Sequence, residues 1–182
     1  MREDVVTDDA TDIAEACWAF ALELYQRPSA SAICLKLQAE AGVDVMLLLV
    51  AIFAVTRRGL RLSSLDIEEM SAACAPWRDE IVQPLRRVRT TLKAGGSFAS
   101  GEAIEALRGQ IKASELAAER LENDLLARWL AVQPRGAQSA SLDDIRNVIG
   151  DVVCAAQRRQ SAASIDLADD VARLASLADD LI

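Results

Sequence analysis

Apolar residues recur at spacings of three and four along most of the chain, which is the period of an amphipathic α-helix. The first stripe follows a predicted helix N-cap at Thr11 or Asp12, and the last one forms a short heptad-like seam. That seam consists of Leu167, Val171, Leu174, Ala178 and Leu181. Because no segment alternates polar and apolar residues as a strand does, the pattern predicts an all-α protein.

Capping residues and helix breakers divide this pattern into about eight helices. Asp44 is the predicted N-cap of the third helix, which contains the longest apolar run of the chain. Pro76 is predicted to close the fourth helix and begin the fifth, and Pro84 is predicted to bend or split the fifth. The segments 94–101 and 133–141, which contain glycine and proline, are predicted linkers.

The apolar stripes also predict which faces of the fifth and sixth helices are buried. The stripe of the fifth helix comprises Ile81, Leu85, Val88 and Leu92, and its opposite face carries Arg86, Arg89 and Lys93. The sixth helix is predicted to begin near Ser100. Its stripe comprises Ile104, Leu107, Ile111, Ala118, Leu121, Leu125 and Trp129.

These elements predict a single-domain helical bundle of about six core helices with a C-terminal helical pair. Residues 1–11 are acidic and are predicted to be disordered, and residues 12–132 are predicted to form the bundle. Residues 142–182 form the pair. Because two heptads are marginal by themselves, we expect this pair to pack on the bundle or on a partner.

Composition and charge exclude several classes of function. The chain has no histidine, so mechanisms and metal sites that need imidazole are excluded. The net charge of −8 argues against DNA binding. The longest apolar run, residues 45–55, is too short to cross a bilayer, which needs about 20 residues. With no basic export signal at the N-terminus, we expect a cytoplasmic protein that does not bind membranes.

Few residues suggest chemistry. The four cysteines form no CxxC pair, and we interpret all of them as small buried residues in a reducing compartment. Glu115 and Glu119 share a helix face, but without histidine we expect no metal site. The chain contains neither of the common nucleotide-binding glycine motifs. We therefore expect no cofactor and assign no catalytic residue.

Three stretches of the chain, residues 17–54, 75–93 and 107–126, resemble a proteobacterial family called domain of unknown function 2390. The family pattern has W-x-F…Y…P, then L-Q before G-x-D-V-N-L-L-L, then P-W-R…P-L-R-x-x-R, then E-L-x-A-E. The chain matches from Trp18 to Glu119 but has Met46 where the pattern has asparagine. The resemblance implies a cytoplasmic, bacterial, all-helical protein with no assigned activity.

The motif residues and the few aromatic residues supply a candidate ligand or partner site. It comprises Trp18, Tyr25, Asp44, Trp77, Arg78, Arg86, Arg89, Glu115 and Glu119. Each has a structural interpretation too: the aromatic residues suit a core, Asp44 suits a helix cap, and the arginines of the fifth helix suit ion pairs with the glutamates of an antiparallel sixth helix.

Three hypotheses of function follow. The first is a non-enzymatic module that binds another protein, or itself, through an amphipathic face or the C-terminal helices. The second is a small-molecule binder or enzyme with a pocket between helices 1, 3 and 5, in which Arg78 or Arg86 holds an anionic group. The third is an RNA-associated protein that uses the basic face of the fifth helix.

Overall fold

The structure is a computed structural model that describes residues 3–93, 101–136, 139–160 and 165–182, and it has no strand among them. The helices are α1 (Glu3–Tyr25), α2 (Ala30–Ala41), α3 (Val45–Arg58), α4 (Ser64–Trp77), a π-helical turn (Arg78–Val82), α5 (Gln83–Lys93), α6 (Glu102–Ala131), α7 (Leu142–Gln160) and α8 (Ala168–Asp179). The all-α fold predicted from the periodicity is confirmed.

Helix α3 is the centre of the bundle. Every residue from Met46 to Val55 is buried, because this helix is apolar on all sides and contacts α1, α4, α6, α7 and α8. Asp44 caps it, as predicted: its Oδ1 accepts hydrogen bonds from the backbone N–H groups of Met46 (3.1 Å) and Leu47 (3.2 Å). Gly59 ends the helix in the left-handed conformation, with φ 64°. Within the described residues, no helix combines the length and the apolar character needed to cross a bilayer.

The C-terminal helices pack on the rest of the chain. Helix α7 contacts α3 and α4, and α8 contacts α7, α2 and α3. Ile145, Ile149 and Leu174 belong to the same buried core as α3. All five residues of the heptad-like seam are buried. The seam therefore faces the core of its own chain.

Several helix boundaries differ from those predicted. Helix α1 begins at Glu3, so the start predicted at Thr11 or Asp12 was wrong, and the helix includes part of the segment predicted to be disordered. That segment contains neither proline nor glycine to stop a helix. Pro76 lies inside α4 and does not end it. The predicted interruption of the fifth helix takes the form of the π-helical turn immediately before Pro84.

The predicted linker at residues 94–100 lies outside the described residues, as do the predicted start of the sixth helix at Ser100 and two positions, 137 and 138, of the second linker. Helix α6 is described from Glu102 onward. The prediction that all cysteines are buried was wrong for Cys154, which is exposed on α7.

The predicted inner faces of the fifth and sixth helices were also wrong. Within its described length, α5 has no fully buried residue, and Val88 is exposed. On α6, Leu107 and Leu121 are exposed. Ala118 is buried as predicted, but from position 121 onward the residue after each predicted one is buried instead. The members of the buried face are Glu115, Ala118, Glu122, Asn123, Leu126, Ala127 and Leu130. The apolar stripe did not predict this face correctly, because three residues of the buried face, Glu115, Glu122 and Asn123, are polar.

The contribution of the C-terminal pair to the core can be measured. Leu174→Ala removes a completely buried side chain of α8, and we expect the free energy of unfolding to fall by about 2–5 kcal/mol. The measurement is urea unfolding followed by circular dichroism. Leu65→Ala is the control, because Leu65 is an exposed leucine of α4 and its loss should change stability by less than about 0.5 kcal/mol. Equal losses in the two variants would contradict this packing.

Candidate functional site

A cavity of about 430 Å³ lies between α1, α2, α3, the π-helical turn, α5 and α6. The structure brings eight of the nine candidate site residues to its walls. They are Trp18, Tyr25, Asp44, Arg78, Arg86, Arg89, Glu115 and Glu119. A larger groove of about 880 Å³ runs beside α7 and the start of α8, but it contains none of these residues. The smaller cavity is therefore the candidate site.

Trp77, the ninth candidate, does not line the cavity. Its indole Nε1–H donates a hydrogen bond to the backbone oxygen of Ala118, at 2.9 Å, and so joins α4 to α6. A half-buried indole needs such a partner. Trp18 lies on the cavity wall with the guanidinium of Arg120 over its ring, 5.1 Å from the ring centroid.

One wall of the cavity is an ion-pair network between α5 and α6. Arg86 donates from Nε to Glu115 Oε1 (2.9 Å) and from Nη2 to Glu119 Oε1 (2.6 Å). Arg89 donates from Nη2 to Glu115 Oε1 (3.1 Å) and also contacts Glu115 Oε2 through Nε. These contacts confirm the predicted antiparallel pairing of the two helices. They also turn the supposed RNA-binding face of α5 toward α6.

The pKa values of the two glutamates in this network are shifted in opposite directions. Burial opposes the ionisation of Glu115, but hydrogen bonds from Arg89 and Arg86 outweigh it and lower the pKa of this carboxyl. Glu119 has a raised pKa, because the effect of burial exceeds the attraction of Arg86. Glu115 therefore keeps its negative charge to a lower pH than an ordinary glutamate, and Glu119 takes up a proton at a higher pH than an ordinary glutamate.

A second polar cluster joins three helices. Two of its members, Asp44 and Glu122, are buried residues of the cavity wall, and we call the part of the cavity that they line its inner end. Asp44 of α3, Cys74 of α4 and Glu122 of α6 are all buried, and each offers a donor atom within 4.8 Å of the other two. Arg78 Nη1 lies 3.3 Å from Asp44 Oδ2 and 4.0 Å from Cys74 Sγ. Oxygen and sulfur donors of this kind are chemically able to hold zinc, but the guanidinium of Arg78 already supplies the positive charge beside Asp44 and Cys74.

Glu122 is the most perturbed acid of the site. Burial, followed by the neighbouring Asp44 carboxylate, raises its pKa to about 9. Its carboxyl is therefore protonated at neutral pH. Within the described part of the chain, its Oε1 atom has no hydrogen-bond partner. Burial likewise raises the pKa of the Cys74 thiol, so this cysteine is not a thiolate at neutral pH.

Helix α7 also reaches this cluster. The Arg159 guanidinium contacts Ser71 Oγ, which also accepts a hydrogen bond from Arg78 Nη1 at 3.4 Å. The pKa of Arg159 is lowered by burial and by the nearby charge of Arg78. The C-terminal pair thus contributes a cation behind the inner end of the cavity.

Sequence reasoning missed Glu122, Cys74, Ser71 and Arg159. Glu122 carried a usable signal, since it lies seven residues after Glu115 and three after Glu119 and so shares their helix face. The other three residues had no signal of this kind, because their proximity depends on how α4 and α7 pack. Met46 lines the cavity, so the departure from the family pattern lies inside the site.

The opposite pKa shifts of Glu122 and Glu115 predict opposite pH effects of two matched substitutions. The folded-state pKa of Glu122 lies above the ordinary 4.5, so the wild type loses stability as pH rises between these values. Glu122→Gln keeps the neutral form, so we expect its free energy of unfolding relative to the wild type to rise between pH 5 and pH 8, by roughly 1 kcal/mol per pH unit. Urea unfolding across this range measures it.

Glu115→Gln should behave in the reverse way. A lowered pKa means that Glu115 stabilises the fold above the ordinary value, and that this contribution disappears as pH falls through the folded-state pKa. We expect a loss of about 3 kcal/mol at pH 7 that shrinks in acid. The same sign of pH dependence in both variants would contradict the assigned protonation states.

The cavity lies within a region that comparison with known families identifies. A family model described as "Protein of unknown function (DUF2390)" matches residues 16–126. The match extends from α1 into α6 and leaves α7 and α8 outside. The comparison with curated proteins gave no significant match, and neither did the comparison with solved structures. Because the matched region exceeds half of the chain, the protein belongs to the DUF2390 family of proteins of unknown function.

Proposed function

We propose that the cavity binds a small amphipathic molecule, with its polar head at the inner end and its apolar part at the mouth. The observation that carries this proposal is the change in polarity along the cavity. Leu22, Leu35 and Leu116 line it and are each 47–55% exposed, whereas its buried lining combines the acidic residues Asp44 and Glu122 with apolar residues such as Leu49 and Val82. A molecule that enters with its polar head first places that head beside Asp44 and Glu122 and its apolar part beside the exposed leucines.

The dimensions and walls of the cavity support the same proposal. Its volume of about 430 Å³ is within the usual range for small-ligand sites, which is roughly 300–1,000 Å³. Trp18 and Tyr25 add aromatic surface beside the leucines, and such surface contacts an apolar group well. Exposed leucines at a cavity mouth are also stabilised when a ligand covers them.

The other hypotheses have less support. The C-terminal seam offers no free surface for self-association, because it is buried within its own chain. RNA binding through α5 has less support because Arg86 and Arg89 already form ion pairs with α6. A protein partner elsewhere on the surface stays a prediction. A cytoplasmic location also stays a prediction, and it suits a chain whose four cysteines are free.

The proposal can be tested with three eight-carbon probes that differ in the head group: n-octanol, n-octanoate and n-octylamine. At least one of them should change the tryptophan fluorescence of the wild type in a saturable way, and Trp18→Phe should abolish most of that change. Leu116→Ser should weaken binding about 5- to 10-fold, since it removes apolar contact at the mouth.

Leu107→Ser is the matched control for this experiment. Leu107 and Leu116 are both exposed leucines of α6, with 45% and 53% exposure, but Leu107 does not line the cavity. Its replacement should leave the affinity unchanged. Equal effects of the two substitutions, or the absence of binding by all three probes, would contradict the proposed function.

A further inference from the structure

We propose that the head group of the ligand is a protonated amine, bound by the carboxyl groups of Glu122 and Glu119 at the inner end of the cavity. This inference rests on the proposed function and specifies its ligand class. It replaces the expectation from sequence that Arg78 or Arg86 holds an anionic group. The reasons are the hydrogen-bond partners, the charge and the accessibility of the groups at this end.

The arginines of the cavity already have carboxylate partners. Arg86 bonds to both Glu115 and Glu119, and Arg89 bonds to Glu115. Arg78 lies between Asp44 and Asp79, with N···O distances of 3.3 Å and 2.9 Å. An anionic head would have to displace a protein carboxylate from one of these pairs. These arginines therefore offer an anion little that is unoccupied. Lys112 also lines the cavity, but it is an exposed residue of α6 and does not belong to the buried end with Asp44 and Glu122.

Glu122, unlike these arginines, has a buried atom without a hydrogen-bond partner. Glu122 lines the cavity and is 1% exposed. Its carboxyl hydrogen-bonds with Asp44 and Cys74, but its Oε1 atom lacks a hydrogen-bond partner among the described residues. Glu119, one turn away on the same face, accepts from Arg86 through Oε1. What is missing here is a donor. A primary ammonium group has three N–H donors and a positive charge, so it supplies both what Oε1 lacks and what burial of two carboxyls requires.

The surroundings of Glu122 determine what happens to its proton. Asp44 faces it from α3, Cys74 faces it from α4, and Arg78 faces it from the π-helical turn. Tyr25 of α1 lies near Glu119. In the free protein Glu122 is neutral. When the ammonium group binds, Glu122 becomes a carboxylate and its proton passes to solvent, while the amine keeps its own proton.

An inorganic cation fits this site less well. A metal ion held by Asp44, Cys74 and Glu122 would need the Cys74 sulfur as one of its ligands. However, Cys74 does not line the cavity, whereas Glu119 and Glu122 do. A ligand that enters through the mouth therefore meets carboxyl groups and not the thiol.

Isothermal titration calorimetry with the three octyl probes tests the inference. At pH 7 we expect n-octylamine to bind about 10- to 100-fold more tightly than n-octanoate or n-octanol, the range of a charge-assisted hydrogen bond. Titration in two buffers of different ionisation enthalpy should show release of up to one proton per amine bound. Glu122→Gln should lose most of this preference and all of the proton release.

Glu105→Gln is the matched control, since Glu105 is an exposed glutamate of the same helix that pairs with Arg108 away from the cavity. It should bind n-octylamine like the wild type. Circular dichroism of Glu122→Gln verifies its fold, which the neutral amide should preserve.

Three outcomes would overturn the inference. Tighter binding of n-octanoate or n-octanol would refute the amine while leaving the proposed function intact. An unchanged preference in Glu122→Gln would refute the role of this carboxyl. Zinc that stabilises the wild type but not Glu122→Gln, and that n-octylamine fails to displace, would show a metal site instead. If all three octyl probes fail to bind, the proposed function itself fails.

Discussion

The structure depends on one constraint: helix α6 buries carboxyl groups in the middle of a face whose other members, apart from Asn123, are apolar. Glu115 and Glu122 are almost inaccessible to water, so each must be paired with a cation or hold a proton. The two residues meet this requirement differently. Glu115 is charged and bonded to arginines of α5, whereas Glu122 keeps its proton beside Asp44.

This constraint explains how α5 is attached and why a cavity lies beside it. Helix α5 contributes no fully buried side chain within its described length, so its position depends on the bonds from Arg86 and Arg89 to α6. Arginine side chains that reach across to a neighbouring helix hold it without the close interdigitation of an apolar contact. The space bounded by α1, α3 and these ion pairs is the cavity.

Local sequence signals predicted the features that depend on neighbouring residues. The N-cap at Asp44, the apolar character of α3 and the C-terminal seam are contained in a few successive residues, and the structure shows each of them. The inner face of α6 could not be found in the same way. Hydrophobic periodicity assumes that buried residues are apolar, and Glu115, Glu122 and Asn123 break that rule.

The sequence by itself determined that the chain is helical, where its central helix lies, which family it belongs to and which residues merit attention. Periodicity, capping and motif spacing are all properties of short segments. Only the tertiary structure decided that eight of these residues line one cavity, that the arginines are already paired and that Glu122 lies at the inner end. Protonation and pairing depend on burial and on charges from distant segments, and the packing of the helices determines both.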